Sequence, residues 1–324
     1  TMNSFTGDTN HFLRQSIWIL VSMLIFFFLS FIDFRFLRRT WVSVSLFLFS
    51  CSVLVLLFLV GQVTKGAVSW FDFGALSFQP SDPIKLVVII ILAKYFSRRH
   101  IEIANLRHII ISAIYTGIIA FLVFLQPDFG STVIILGIWF GMVLASGISK
   151  KHLLVVLGIG IIAVLSLWLF VFEPYQKARI ATFLSPFSDI QGPGYNAYHS
   201  PIAVGSGEIL GKGIGLGSQS KLLFLPEYQT DFIFAAFAEE WGFVGTLFLL
   251  ILSFALLYRL VDSAKNSGGN FESLFILGVA ILFGIHILIH AGMNMGLLPV
   301  TGIVFPFMSY GGSHLLTECI AVGI

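Results

Sequence analysis

The chain has 324 residues, of which 57% are hydrophobic and only 10% are charged, whereas soluble domains usually carry about 25% charged residues. This composition excludes a soluble enzyme, a disordered chain, a collagen-like fibre and a nucleic-acid binder with a basic surface. The net charge of +2 indicates no partner by itself. The two cysteines, Cys51 and Cys319, lie in apolar runs, which argues against a disulfide framework or a cysteine metal site.

Nine apolar runs, separated by short charged or Gly/Pro-rich breaks, predict transmembrane helices. Their predicted limits are about 15–32, 41–60, 83–96, 109–125, 132–146, 153–172, 232–261, 271–297 and 313–324. We therefore predict an all-α polytopic membrane protein that forms a single transmembrane domain over residues 1–324. The last run is too short to cross a bilayer, so we expect a chain that is cut within a helix.

The basic residues predict the orientation of the helices, because cytoplasmic loops are enriched in Lys and Arg. Eleven of the eighteen basic residues lie in alternate breaks: Arg35, Arg38, Arg39, Lys94, Arg98, Arg99, Arg107, Lys150, Lys151, Arg259 and Lys265. With these breaks in the cytoplasm, the long hydrophilic segment at about 173–230 is external. The amino end is then external too, which predicts that one helix precedes the sequence given.

Two similar motifs, Gln79–Pro83 and Gln126–Gly130, carry carboxylates at predicted external helix ends. In the first, Ser81 or Asp82 could cap a helix while Lys85 snorkels; alternatively, Asp82 and Lys85 form an ion pair that lines a polar cleft. The second is an ordinary turn when taken alone. Together, the motifs could set Asp82, Lys85 and Asp128 around one external cavity.

The segment Leu225–Phe234 leads into the seventh apolar run and contains Asp231. One interpretation is structural: Thr230 or Asp231 caps the helix. The other is catalytic, and it requires burial or a neighbouring carboxylate, because a helix N-terminus alone lowers the basicity of a carboxylate. Of Glu239 and Glu240, further along this run, at most one can face the same cleft as Asp231.

The eighth run contains His286 and His290, which have the i, i+4 spacing of two metal ligands on a helix. The sequence offers no third ligand nearby, so helix-to-helix hydrogen bonds are the favoured interpretation. The following stretch, Pro299–Ser313, is predicted to be re-entrant or irregular. Such backbone is tolerated at membrane depth only against protein or water.

Seven segments in register make the sequence similar to the SEDS family (shape, elongation, division and sporulation), and the run Pro299–Ile303 favours its RodA branch. The segments are Gly66–Trp70, Gln79–Lys85, Gln126–Gly130, Gly194–Asn196, Leu225–Phe234, Glu239–Gly242 and Gly296–Ser313. The resemblance implies ten membrane helices with a large external loop. It also implies polymerisation of lipid II, a lipid-linked peptidoglycan precursor, into glycan strands, together with a class B penicillin-binding protein that crosslinks them.

The same resemblance implies the roles of individual residues. Asp231 matches the family's essential aspartate, and Asp82, Lys85 and Asp128 match its cavity network. The sequence departs from the family pattern at several positions, where Asp82 replaces a glutamate, His290 an asparagine and His314 a serine. Further departures are Val68–Ser69, Tyr198–Ser200 and Glu208.

The resulting hypothesis is an inverting glycosyltransferase of the bacterial cytoplasmic membrane with its active site on the external side. Asp231 is the predicted general base, and Lys85 is expected to position the substrate's diphosphate. Further residues predicted to line the cavity or add positive charge are Glu227, Thr230, Lys177, Arg179, Lys212 and Lys221. A divalent cation could share the task of charge neutralisation, although the sequence shows no metal-ligand set.

Two alternatives stay open at this point: a flippase for the lipid-linked precursor, and a non-catalytic scaffold for the penicillin-binding protein. A transporter would require a polar path in the inner half of the membrane as well. The predicted partners are lipid II, the polyprenyl-diphosphate-linked glycan, the penicillin-binding protein and membrane lipids, with no nucleic acid.

Overall fold

The computed structural model describes residues 9–60, 62–64, 67–72, 77–98, 106–185, 194–222 and 224–324. Each predicted apolar run contains one helix in the described part of the chain. These helices are α1 (Thr9–Ser30), α2 (Thr40–Val60), α3 (Ser81–Ser97), α4 (Leu106–Leu125), α5 (Phe129–Ala145), α6 (Lys150–Phe170), α10 (Ile233–Lys265), α11 (Asn270–Asn294) and α12 (Gly312–Gly323). Helices α1, α2, α4, α6, α10 and α11 are long and apolar enough to cross a membrane. The prediction of an all-α, multi-pass membrane protein is confirmed.

The shorter elements were not predicted. A 3₁₀ helix spans Phe34–Arg38, and three strands, β1 (Gln62–Thr64), β2 (Ala67–Asp72) and β3 (Ser77–Phe78), pair antiparallel in chain order. The hydrophilic segment at about 173–230 contains α7 (Pro174–Leu184), α8 (Tyr195–Ser206) and α9 (Ser218–Lys221). Lys65 and Gly66, and residues 186–193 and 223 of that segment, lie outside the described residues.

The chain divides into two compact units, which we name after the candidate residues they contain. The Asp82 unit consists of Leu13–Ile148, Leu256–Ile285 and Gly311–Ile324. The Asp231 unit consists of Thr1–Phe12, Ser149–Ala255 and His286–Tyr310. Candidate residues from distant parts of the sequence therefore fall into two sets, and each set is described within its own unit.

In the Asp82 unit, glycines allow close packing of α5 against the first part of α11. A Cβ atom added to Gly137 would lie 2.8 Å from the Cδ1 atom of Ile285, and one added to Gly141 would lie 2.7 Å from the Cγ2 atom of Ile281. Small residues have this role between membrane helices, where van der Waals packing rather than the hydrophobic effect drives association. Helix α3 packs against α2, α5 and α12 and is buried along most of its length.

In the Asp231 unit, helix α10 is broken at Gly242, where φ is +64°. Residues 208–213 of the preceding segment pair with the exposed backbone at this break. The amides of Lys212 and Gly213 donate to the Glu239 and Glu240 carbonyls at 3.0 Å each. The amides of Phe243 and Val244 donate to the Glu208 and Ile209 carbonyls at 2.9 and 3.1 Å. A broken helix in a membrane requires such internal pairing, since lipid offers no hydrogen bonds.

Gly242→Ala tests this description of the break. A Cβ atom at this position would lie 2.3 Å from the Gly211 backbone nitrogen, and the positive φ disfavours any side chain. We expect the substitution to lower the free energy of unfolding by more than about 1 kcal/mol, measured by thermal unfolding in detergent.

The matched control is Gly158→Ala in α6, where no atom lies within 4 Å of the added Cβ. This variant should unfold at or above the wild-type temperature, because alanine favours helix. Equal stability of the two variants would contradict the constraint at the break.

Candidate active site

Asp231 lies in the turn directly before α10 and is half-buried. The turn is closed by the amides of Thr230 and Phe232, which donate to the Glu227 carbonyl at 3.1 and 3.2 Å. Glu227 itself has a φ of +61°. The Thr230 hydroxyl donates to the Glu227 carboxylate at 3.1 Å. This geometry sets Asp231 at the point where the segment enters the helix.

Asn294, the last residue of α11, joins this turn to the first turn of α10. Its Nδ2 donates to the Asp231 carbonyl at 3.0 Å, and its Oδ1 accepts from the Ala235 amide at 3.1 Å. The Ser200 hydroxyl donates to the Asn294 carbonyl at 2.9 Å. Asn294 and Ser200 are fully buried. The first amides of a helix have no acceptor within that helix. Asn294, on α11, therefore provides the acceptor for one such amide of α10, that of Ala235.

The irregular stretch after α11 fixes the other side of the turn. The Ser309 hydroxyl donates to the Thr230 carbonyl at 2.9 Å, and the Tyr310 amide donates to the Gln229 carbonyl at 2.8 Å. A Cβ atom added to Gly302, where φ is +72°, would lie 3.6 Å from the Asp231 Oδ2 atom. The backbone of this stretch thus approaches the carboxylate closely.

The two histidines of α11 anchor the same stretch. The Nδ1 of His286 lies 3.1 Å from the Val304 carbonyl, and that of His290 lies 2.7 Å from the Ile303 carbonyl. These two carbonyls belong to irregular backbone, so each histidine joins α11 to the stretch that follows it; the predicted helix-to-helix hydrogen bonds stay a prediction. No cluster of three or more possible metal ligands occurs among the described residues.

At the start of α10, the Thr230 hydroxyl donates to Glu227, and the Ala235 amide donates to the Asn294 side chain. A cap by Asp231 stays a prediction. No sequence pattern assigned these roles to Asn294 or Ser200. An available signal was the polar Asn294 inside a long apolar run, because polar side chains at membrane depth require a partner.

Glu239, eight residues beyond Asp231, is fully buried and receives five donors from the segment before α10. Lys212 Nζ lies 2.8 Å from its Oε1, and the remaining donors are the Ser218 hydroxyl, the Gln219 amide, and the amide and hydroxyl of Ser220. Lys212 is therefore engaged with a buried carboxylate. Its predicted role as a cation for diphosphates is not favoured by this geometry.

The remaining candidates of this unit lie nearer to its surface. Glu227 and Lys221 are exposed, and Thr230 is half-buried. Lys221 is the last residue of α9, and its amide donates to the Gly217 carbonyl at 2.9 Å. Asp231, Glu227 and Thr230 thus form one turn, while Lys221 lies on a separate short helix.

In the Asp82 unit, the ion pair between Lys85 and Asp82 is present. Lys85 Nζ lies 2.9 Å from the Asp82 Oδ1, and both side chains are only 5% exposed. Neither Ser81 nor Asp82 caps α3, whose N-cap residue Pro80 makes no side-chain bond. The capping interpretation is therefore wrong; the ion pair is present, while its place at a polar cleft stays a prediction.

Asp128 lies close to this pair in the fold but has different partners. Its Oδ1 caps α5 by accepting from the Ser131 amide at 3.0 Å. Its Oδ2 accepts from the Gln79 Nε2 at 3.0 Å and from the Ser81 hydroxyl at 3.2 Å. Among the described residues, the ion pair of Lys85 is with Asp82 and not with Asp128. Asp128 therefore links the start of α3 to the start of α5.

A further buried pair, His314 and Glu318 on α12, extends the polar cluster. His314 Nδ1 lies 3.7 Å from the Asp82 Oδ1, and His314 Nε2 lies 2.7 Å from the Glu318 Oε1. The side chains of His314 and Glu318 are 12% and 3% exposed. His314 was noticed in the sequence only as a departure from the family pattern, and Glu318 was not predicted.

The comparisons with known proteins agree with this architecture. A family model described as "Cell cycle protein", covering FtsW, RodA and SpoVE, matches residues 1–324. The probable peptidoglycan glycosyltransferase FtsW of Thiomicrospira cyclica is 38% identical over 283 residues, covering 86% of this chain and 72% of that protein. Stage V sporulation protein E of Bacillus subtilis is 36% identical over 313 residues, covering 96% and 84%.

Solved structures give the same result. The rod shape determining protein RodA of Thermus thermophilus matches with a TM-score of 0.73 and 29% identity, over 99% of this chain and 88% of that chain. A second solved structure is described as "Structural coordination of polymerization and crosslinking by a peptidoglycan synthase complex". One of its chains matches with a TM-score of 0.85 and 31% identity, over 99% of this chain and 90% of that chain.

This chain belongs to the SEDS family, the family of FtsW, RodA and SpoVE. Its relatives carry the names of all three branches, so the closer relation to RodA stays a prediction.

Asn294→Ala tests how the turn at Asp231 is held. The substitution removes a helix cap, which typically costs about 1 kcal/mol, and leaves the Asp231 carbonyl without this donor. We expect faster deuterium uptake of the Ala235 amide and a lower unfolding temperature, measured by hydrogen exchange with mass spectrometry and by thermal unfolding.

Asn266→Ala is the control, because Asn266 is exposed just after the other end of α10. It should leave exchange near Asp231 unchanged. Wild-type exchange at Ala235 in the Asn294→Ala variant would refute the capping role.

Proposed function

We propose that this chain is a peptidoglycan glycosyltransferase that polymerises lipid II. Membership of the SEDS family supports the reaction class, as does the similarity to relatives that are themselves named probable peptidoglycan glycosyltransferases. The observation that carries the proposal is the placement of Asp231. Its carboxylate is half-buried at a turn whose backbone is held by Asn294 and Ser309, two residues from segments outside α10.

In the proposed reaction, Asp231 acts as the general base. Its carboxylate takes the proton from the attacking sugar hydroxyl of one lipid II molecule. The hydroxyl oxygen forms a bond to the anomeric carbon of the growing chain, and the bond from that carbon to the polyprenyl diphosphate breaks. The diphosphate leaves with the bonding electrons, and the configuration at the anomeric carbon is inverted. A rigid turn suits this role, because a base must stay within about 2.6–3.2 Å of its proton donor.

In this proposal, the exposed Lys221 supplies positive charge for the diphosphates, and Lys85, paired with Asp82, keeps the cavity polar. Lys85 is buried with Asp82, so its ammonium is fixed in place rather than mobile. Asp128 contributes indirectly, through Gln79 and Ser81 at the start of α3. Glu227 orients Thr230 within the Asp231 turn. Lys212 instead stabilises the segment around buried Glu239.

We further propose that the reaction takes place on the external side of the bacterial cytoplasmic membrane, in cell elongation. The distribution of Lys and Arg supports this orientation. A class B penicillin-binding protein is the proposed partner that crosslinks the strands. The similarity to a chain from a peptidoglycan synthase complex supports such an assembly.

Asp231→Asn tests the proposed base. The substitution is nearly isosteric but removes the basic oxygen, and general base catalysis contributes typically about 10²–10⁴-fold. We expect strand formation from labelled lipid II by the purified full-length protein to fall by at least about 100-fold, measured by gel separation of the glycan products.

Asp262→Asn is the matched control, since Asp262 is an exposed carboxylate on the last turns of the same helix. It should polymerise lipid II at the wild-type rate. Full activity of Asp231→Asn would refute the base role, and translocation of lipid II without polymerisation by the wild type would favour a flippase.

A further inference from the structure

A chain of four buried ionisable residues crosses from α3 to α12 in the Asp82 unit. Lys85 contacts Asp82, Asp82 contacts His314, and His314 contacts Glu318. All four side chains are between 3% and 12% exposed. Ionised groups in such surroundings are costly unless they are paired with opposite charge.

The position of His314 bears on its charge. Its Nδ1 lies 3.7 Å from the Asp82 carboxylate and its Nε2 lies 2.7 Å from the Glu318 carboxylate, both within ion-pair distance. A neutral imidazole has a single N–H, so one of its two nitrogens would direct a lone pair at a carboxylate, whereas an imidazolium carries an N–H on both nitrogens. A ring between two carboxylates at these distances therefore favours the doubly protonated form.

The charge balance of the cluster gives the same result. Two carboxylates and one ammonium leave one net negative charge in the protein interior. A protonated His314 brings the sum to zero.

We propose that His314, as an imidazolium between Asp82 and Glu318, completes an electrically neutral buried cluster and is the positioning residue that holds Asp82 and thereby Lys85. The inference rests on the proposed function for the role of Lys85 in the substrate cavity. In this cluster, Glu318 stabilises the charge on His314. His314 and Lys85 together orient the same Asp82 oxygen.

The test is a charge-balance cycle with His314→Gln, Glu318→Gln and the double variant. His314→Gln leaves the cluster with one uncompensated negative charge, whereas His314→Gln with Glu318→Gln restores a sum of zero. We expect the single His314→Gln variant to lose at least about tenfold in strand formation and to unfold at a lower temperature. The double variant should recover most of both losses.

His152→Gln, a histidine on α6 outside the cluster, is the control and should behave as the wild type. Thermal unfolding needs no substrate, so it tests the charge balance even if the wild type were to form no strands. A wild type that forms no strands would overturn the proposed function but not this inference. A His314→Gln variant that matches the wild type in stability and activity would overturn the inference, as would a double variant no better than the single one.

A pH profile separates the charge of His314 from its packing. Strand formation by the wild type should decline on the alkaline side as His314 loses its proton and the cluster becomes negative. The double variant has no titrating group at positions 314 and 318, so this decline should be absent or displaced. Superimposable pH profiles of the wild type and the double variant would refute the role of the imidazolium.

Discussion

The structure depends on one constraint: inside a membrane, every polar backbone group and every charge must find its partner within the protein. Helix α10 shows the consequence most clearly. Its break at Gly242 exposes backbone groups, and the segment at 208–213 forms hydrogen bonds with four of them. Lys212 of this segment and Ser218 beyond it donate to the buried carboxylate of Glu239. The hydrophilic segment is thereby joined to the helix that directly follows the candidate base.

The turn at Asp231 follows from the same constraint. Asn294 and Ser309 donate to its backbone carbonyls from segments that follow much later in the chain. These contacts hold the backbone of the turn, and the proposed proton transfer requires such preorganisation. In the Asp82 unit, buried charged groups pair with one another.

The sequence alone predicted the long helices, because a run of apolar residues has to be a helix when it crosses a bilayer. It also offered the pair of Asp82 and Lys85, one turn apart on one helix face, as one of two interpretations. The break at Gly242, the role of Asn294 and the pairing of His314 with Asp82 were not predicted. Each depends on contacts between segments far apart in the chain, and no local pattern encodes them. The cap expected at Ser81 or Asp82 was wrong, because Ser81 donates to Asp128 at the start of α5 and Asp82 is paired with Lys85.

The central claim is that Asp231 takes the proton of the attacking sugar hydroxyl. The most direct measurement is an experimental structure of the full-length protein with two bound lipid II analogues. The account predicts that the attacking hydroxyl oxygen lies within about 3 Å of an Asp231 carboxylate oxygen. A bound hydroxyl that is directed at a different basic group, with Asp231 turned away from the substrate, would contradict it.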